Sequence, residues 1–365
     1  MAVTTYRYLI ANLVTNEIIA ELPFTGVSFT QQLNQAGNFQ GHILIGGINT
    51  AEFNIDAATI PMKNAIYVDR NGVLVWGGVI WARSYNSTEQ QLSIQAREFI
   101  SYFERRRIIE TVDYYQEDQL VIASEIITAA QAVPNGDIGL LLNTRGETTS
   151  GVLVDRVYYD YELKPVFAAI QDLSRQLEGF DFRVDVYYDG ITGLPVKAFN
   201  TYFPRSGDPL NIPVWIFPAG NTVEYEYPED GATAANTIYA LGAGSNEGKL
   251  TAVAQDLVKF AEGWALLEDS ANYSDIDDET VLQQLADGQV LAVAYPPTTL
   301  KLVVPPFVDP EFGTYDIGDD ARIMIRDVRF PNGLDELYRI VGLTVEPGED
   351  GPERVTLTLT QGTGA

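Results

Sequence analysis

The stretch Ala65–Ala96, AIYVDRNGVLVWGGVIWARSYNSTEQQLSIQA, decides the fold. Apolar Ala65–Val68 leads to Asn71-Gly72, and Val73–Trp76 follows. Asn-Gly between two apolar runs is the strongest short hairpin signal, because a tight hairpin turn needs positive φ at both central residues. Beyond Gly77-Gly78, Val79–Arg83 and Gln91–Ala96 pair across the polar turn Tyr85-Asn86-Ser87-Thr88. Upstream lie the candidate strands Tyr6–Asn12, Val27–Gln31 after Pro23, and His42–Ile45 ending at Gly46-Gly47. Short strands at this spacing predict a small barrel or sandwich. Arg97–Ile108 reads as a helix with Phe99, Ile100 and Phe103 on one face. Arg105-Arg106-Arg107 ends it, where cations meet the negative end of the helix dipole. A phosphate-binding patch is the other reading of that run.

The period changes after residue 110. Gln119–Ala132 places Ala123, Ile126, Ile127 and Ala130 at helical spacing behind Asp118, an N-cap candidate. Pro165 suits a first helical turn, and Val166, Ile170, Leu173 and Leu177 form the stripe that Gly179 ends. Phe182–Tyr188 and Lys197–Phe203 follow as strands around Asp189-Gly190. Strands return as Thr222–Tyr227, Thr237–Leu241, Leu250–Ala254, Thr299–Val304, Ala321–Val328, Leu337–Val345 and Arg354–Thr360. One helix, Asp278–Ala286, interrupts them, with Val281, Leu282 and Leu285 inward. Val355, Leu357 and Leu359 alternate with Thr356, Thr358 and Thr360, a period of two with one face buried. Strand, Asn-Gly, strand, polar turn, strand recurs in the last region around Asn332-Gly333. That shared order fits a pair of related barrels and equally a common β-meander.

The 365 residues, 46% apolar, suffice for two or three cores of roughly 150 residues each. No run approaches the roughly 20 apolar residues that cross a bilayer. The start MAVTTYRYLI lacks a basic and an apolar signal region, so synthesis in a cytoplasm is expected. Cysteine is absent, which excludes disulfides, thiolate zinc sites and cysteine nucleophiles. His42 is the only histidine, so two-histidine metal sites are excluded and any Ser–His–acid triad rests on it. The net charge is −27, carried almost entirely beyond residue 110; residues 1–110 hold 8 basic and 9 acidic side chains. Such a field disfavours ordinary binding to phosphate backbones and anionic membranes. The near-neutral first third is the expected protein-packing surface.

No motif carries chemistry. Gly242-x-Gly244-x-x-x-Gly248 is one residue too long for a dinucleotide fingerprint and leads into Lys249–Gln255, a β-type segment. Asp275, Asp277, Asp278 and Glu279 lack the glycine and glutamate of a calcium loop, since Thr280 and Ala286 occupy those places. They read as an acidic helix start. Asp316, Asp319 and Asp320 around Gly318 read as a polar turn. Among 50 acids, a carboxylate pair at glycosidase spacing has no diagnostic value. Trp76 and Trp81 have the chemistry to stack a sugar, but on strands they are more commonly core aromatics.

The runs VSFTQQLNQAGNFQGHILI, VDRNGVLVWGGVIWARSYNSTEQQLSIQAREFISYFERRRI, NTIYALGAGSNEGKLTAVAQD and DIGDDARIMIRDVRF…YRIVGLTVEPGEDGPERVTLTLT resemble tail-hub proteins of tailed bacteriophages. Such hubs are often catalogued as minor tail proteins of phages with long, non-contractile tails, and they are similar to the hubs of contractile injection systems. The resemblance implies a β-rich α+β fold: a tube-type β-barrel domain over 1–110, an α+β domain over 111–220, and a second barrel over 221–365. A helical insertion is expected near 278–287 in the last. It also implies a homotrimer at the virion tail tip, joining a sixfold tube to threefold tip components around a genome channel. The implied neighbours are a distal tail protein or tail tube above and tip or receptor-binding proteins below, with DNA passing without specific binding and no membrane insertion. No catalytic, cofactor or metal residue is carried over, and no enzyme activity is expected. The acidic excess is expected to line the channel or only to keep the assembly dissolved. A tail protein that binds or degrades host-envelope carbohydrate is the alternative function. The chain stops at Gly362-Thr363-Gly364-Ala365 directly after its last strand, which fits a bare hub.

Overall fold

The computed structural model describes residues 4–45, 54–176, 178–229, 231–274, 276–293, 299–348 and 352–361. Gly46-Gly47, Leu177, Asp275 and the last four residues lie outside them. Asn71 and Gly72 turn at φ 55° and 86°, and Arg70 faces Val73 across the hairpin. The Asp69 carboxylate steadies the turn by accepting the Gly72 N–H at 2.7 Å. Val73–Asn86 is one strand of 14 residues, not two segments split by glycines. Gly77-Gly78 is there because side chains would not fit. A Cβ on Gly78 would lie 2.2 Å from the Arg97 carbonyl oxygen, and one on Gly77 would press within 3 Å of Tyr67, Phe99 and Val186.

Both β-regions contribute strands to one thirteen-stranded sheet. Its path runs Glu224–Glu226, Thr299–Val304, Arg354–Gln361, Leu334–Glu346, Thr25–Gln32, Asn38–Leu44, Gln91–Glu98, Val73–Asn86, Asn64–Arg70, Tyr6–Asn12, Ile18–Glu21. Asp320–Ile325 pairs with Leu334–Glu346 and carries Val214–Phe217 as a parallel neighbour. The two regions join where Gly342, Leu343, Thr344 and Val345 face Gln32, Gln31, Thr30 and Phe29. Among the described residues the path does not close into a barrel. A single apolar cluster underlies both regions, with Phe29, Phe39 and Trp76 from one and Leu343, Val345 and Leu357 from the other. Burying each such side chain is worth about 1.5–3 kcal/mol.

A second cluster joins the α+β segment to the hairpin. Val73–Asn86 turns Trp76 and Ile80 to the first cluster and Val79 to the second, so its middle, Trp76–Ile80, is buried on both faces. The helix Gln119–Ala132 has its expected limits. Val166–Ser174 follows Pro165, which stands at the N-cap with ψ 133° rather than inside the first turn. Asp181–Tyr188 and Pro195–Tyr202 form the expected hairpin, joined by parallel Leu140–Leu142. Val112–Asp118 and Leu153–Tyr158 make a further pair, absent from the sequence reading. Arg97–Ile108 is not an α-helix. Arg97 and Glu98 complete the strand Gln91–Glu98, and Phe99–Arg105 forms a 3-10 turn that buries Phe99, Ile100 and Phe103.

The third cluster belongs to a small unit of Thr251–Gln255, Thr237–Leu241 and Glu268–Asn272 under the helix Glu279–Val293. This helix is longer than the periodicity suggested, and Leu282, Ala286 and Val290 form its buried stripe instead of Val281, Leu282 and Leu285.

Asp118 caps more than its own helix. One carboxylate oxygen accepts the Leu120 N–H at 2.9 Å, and the other accepts Ser150 and Gly151 N–H at 2.7 and 2.6 Å. Asp118→Ala orphans all three donors. The expected loss is about 1 kcal/mol for the cap and about 1 kcal/mol for each hydrogen bond to the half-exposed loop donors. Urea unfolding measures it, and a change under about 0.5 kcal/mol would contradict the role.

Candidate functional site

The sequence candidates do not converge. His42 lies mid-strand opposite Ser93, with its ring filling the space that a Cβ on Gly26 would need. Trp76 is fully buried and donates its indole N–H to the Thr30 carbonyl at 2.9 Å, so it offers no face to a sugar. Half-buried Trp81 donates to Ser101 Oγ at 2.8 Å. Gly242, Gly244 and Gly248 occupy the connection between two antiparallel strands. Asp278 caps its helix, accepting Thr280 and Val281 N–H at 2.7 and 3.0 Å. Among the described residues, no three His, Cys, Asp or Glu side chains group to hold a metal ion. No described helix is long and apolar enough to cross a membrane.

The arginine run is structural, partly through its own turn and partly through a neighbouring helix. Arg106 reaches the end of Gln119–Ala132 and donates to the Ala130 and Gly136 carbonyls at 2.8 and 3.2 Å. A cation there satisfies carbonyls that the helix leaves unpaired. Arg107 donates to the Glu104 and Arg106 carbonyls at 2.7 and 3.0 Å. Nothing in the sequence spacing named Arg106's partners.

The concentrated polar chemistry lies at the seams between chain segments. Arg70 holds Glu353 through two nitrogens at 3.0 and 2.9 Å, the Tyr6 hydroxyl donates to the same carboxylate, and Phe312 covers the guanidinium at 4.8 Å. Burial and the Glu353 hydrogen bond push the Tyr6 hydroxyl well above its ordinary range. Arg183 meets Asp316 at 2.7 Å and Asp185 at 2.8 Å. Burial alone would disfavour its charge; these two carboxylates outweigh that and raise it. Arg339 binds Asp181 and the Ser206 carbonyl, tying the α+β segment to the last β-region. Asp319 accepts backbone N–H from Asp208 and Asp316 at 2.8 and 2.9 Å, and Asp320 pairs with Arg205. Above this network opens a cleft of about 830 Å³, bordered by Arg145, Arg183, Tyr202, Asp208, Asp316 and Asp319. Asp316, Asp319 and Asp320 are thus brought together, with Arg183, Arg205 and backbone N–H groups as their partners. The arrangement fastens segments; it sets out no nucleophile with a base.

Glu98 is the unusual acid. It is buried, accepts the Gly37 N–H at 2.6 Å, and burial pushes its carboxyl up to about 8. A carboxyl raised on folding holds its proton more tightly in the native state. Its contribution is complete below about pH 4.5 and declines as pH rises through about 8. Glu98→Gln is therefore expected to flatten the melting temperature between pH 5 and 9 and to be the more stable form above pH 8. A parallel decline in both proteins would show that Glu98 is ionised in the fold.

No family model and no curated protein matches the chain. Solved structures do. A tail protein from Neisseria meningitidis superposes with a TM-score of 0.61 at 13% identity, over 97% of this chain and 96% of its own. The 43 kDa tail protein of prophage MuSo2 from Shewanella oneidensis gives 0.60 at 13%, over 98% of each chain. A chain of the half-lidded Francisella PdpA–VgrG complex gives 0.53 at 8%, over 98% of this chain and 58% of its own. The fold is that of phage tail proteins.

Proposed function

We propose that this chain is a structural tail-tip hub, joining a sixfold tail tube to threefold tip components and enclosing the channel through which the genome leaves. The observation that carries this is the end-to-end likeness to two phage tail proteins, 96% and 98% of whose own lengths are covered. The partial likeness to a chain of a PdpA–VgrG complex supports the hub position. In this reading 1–110 and 221–365 are the two tube-type barrel units, 111–220 is the α+β domain between them, and three copies present six barrel units to the tube. The distal tail protein or tube lies above, tip or receptor-binding proteins below, and the protein resides at the virion tail tip without entering a membrane. The seams support a structural rather than enzymatic role, because their acids are engaged with arginines and backbone N–H groups.

Native mass spectrometry, with reconstruction of the assembled tip, is expected to show three copies in a ring. A stable twofold or sixfold homo-oligomer in the particle would end this reading.

Replacing Asp275, Asp277 and Asp278 by Asn together is expected to leave assembly intact and to cost at most about 1 kcal/mol per residue in helix-start stability. A hydrolytic turnover by the parent chain that disappears in this variant would establish an enzyme instead.

A further inference from the structure

The acids of this chain are not spread evenly over its sheet. Residues turned away from the core along Thr299–Val304, Arg354–Gln361, Thr25–Gln32, Asn38–Leu44 and Gln91–Glu98 are mainly hydroxyls and amides. The register aligns them in rows. Thr356, Thr344 and Thr30 stand side by side on three adjacent strands, and Ser28, on the same strand as Thr30, continues through Gln40 and Gln95 on the next two. Where Leu334–Glu346 is paired on both sides, by Arg354–Gln361 and Thr25–Gln32, its residues Gly342–Val345 carry no carboxylate, and Glu346 just beyond them faces Arg354. The cations of this face are engaged as well. Lys301 pairs with Glu226 at 3.3 Å, Arg97 with Glu104 at 2.6 Å, and Arg354 with Glu224. A chain with 50 acids and a net charge of −27 thus presents one broad, continuous, almost neutral surface, which crosses the joint between its two β-regions.

We infer that this hydroxyl-and-amide face, rather than an acidic surface, is the wall that duplex DNA slides past. The inference rests on the hub reading above and specifies which surface of the hub meets the genome. Free lysines would hold phosphates through counterion release. Carboxylates would repel them and raise the energy of the polyanion at the mouth of the passage. A neutral face does neither, and its side chains exchange short-lived hydrogen bonds with phosphate and water alike. The acidic excess then lies on the other surfaces, where it keeps copies from sticking elsewhere.

The experiment uses assembled particles. Thr30, Thr344 and Thr356 are changed together to Lys, and in a control Glu247, Glu262 and Glu268 of the small three-stranded unit are changed to Lys. DNA release is timed at two salt concentrations. The face variant is expected to slow release by at least about tenfold at low salt, with recovery at high salt, while the control keeps the parent rate. Where the triple variant fails to assemble, Thr358→Lys alone gives the same comparison with a smaller slowing. Unchanged release in the face variant, or equal slowing in both variants, overturns the inference. A reconstruction separates the two readings: a ring with carboxylates on its inner wall and this face elsewhere removes only the inference, whereas no ring removes the hub reading.

Discussion

The structure depends on four facing pairs. Gly342–Val345 lies against Phe29–Gln32, and that contact turns two β-regions at opposite ends of the chain into one sheet over one core. Phe29 and Val345 are each 1% exposed, so the core face of the joint is dry. A slip of one residue would bring the row of threonines inward and Phe29, Leu343 and Val345 out to water, which fixes the register strongly. Leu33 N–H extends the joint by donating to the Val341 carbonyl at 3.0 Å.

Around this joint, ionic groups sit where segments meet. Arg70–Glu353 links the first β-region to the last, and Arg183–Asp316 and Arg339–Asp181 link the α+β segment to the last. Buried Lys197 donates to the Leu13 carbonyl at 2.9 Å, between the α+β segment and the first region; burial pushes its ammonium down to about 8. Paired buried charges contribute little net stability, yet removing one partner costs about 3–5 kcal/mol. Their effect here is to reject wrong dockings. Apolar faces alone tolerate sliding, whereas these pairs are satisfied in a single arrangement.

Local signals were legible wherever chemistry was local. Asn71-Gly72 turned as its residue types demand, and Asp118 and Asp278 capped the helices they precede. Thr237–Leu241 and Thr299–Val304 have the limits their alternation suggested. The misses have tertiary causes. Glu268–Asn272, EDSAN, has no apolar face and is a strand only because it runs parallel to Thr237–Leu241. Phe99, Ile100 and Phe103 carry helical spacing, but Arg97 and Glu98 are already committed opposite Asn38 and Gly78, which leaves room for a 3-10 turn alone. The second hairpin resembles the first in residue order only. Residues 326–333 separate Ile325 from its partner Leu334, and Asp327 orders that loop by accepting Arg329 and Phe330 N–H at 2.9 and 3.0 Å. The seam arginines were visible as residues, but apart from Asp185 beside Arg183 their partners lie more than a hundred positions away in the chain.

The same joint constrains how the molecule comes into being. Thr25–Gln32 leaves the ribosome long before Leu334–Glu346, more than three hundred residues later, so one edge of the first β-region stays unpaired through most of synthesis. Pairing at such separation is slow, because the chain must close a very long loop before the contact rewards it. An unsatisfied strand edge in that interval is a template for other chains. The uncharged threonines and glutamines of Thr25–Gln32 offer little repulsion to deter them. Yield in recombinant expression is therefore expected to depend on the wait for the C-terminal strands, and truncation before residue 334 is expected to leave an open edge that favours aggregation.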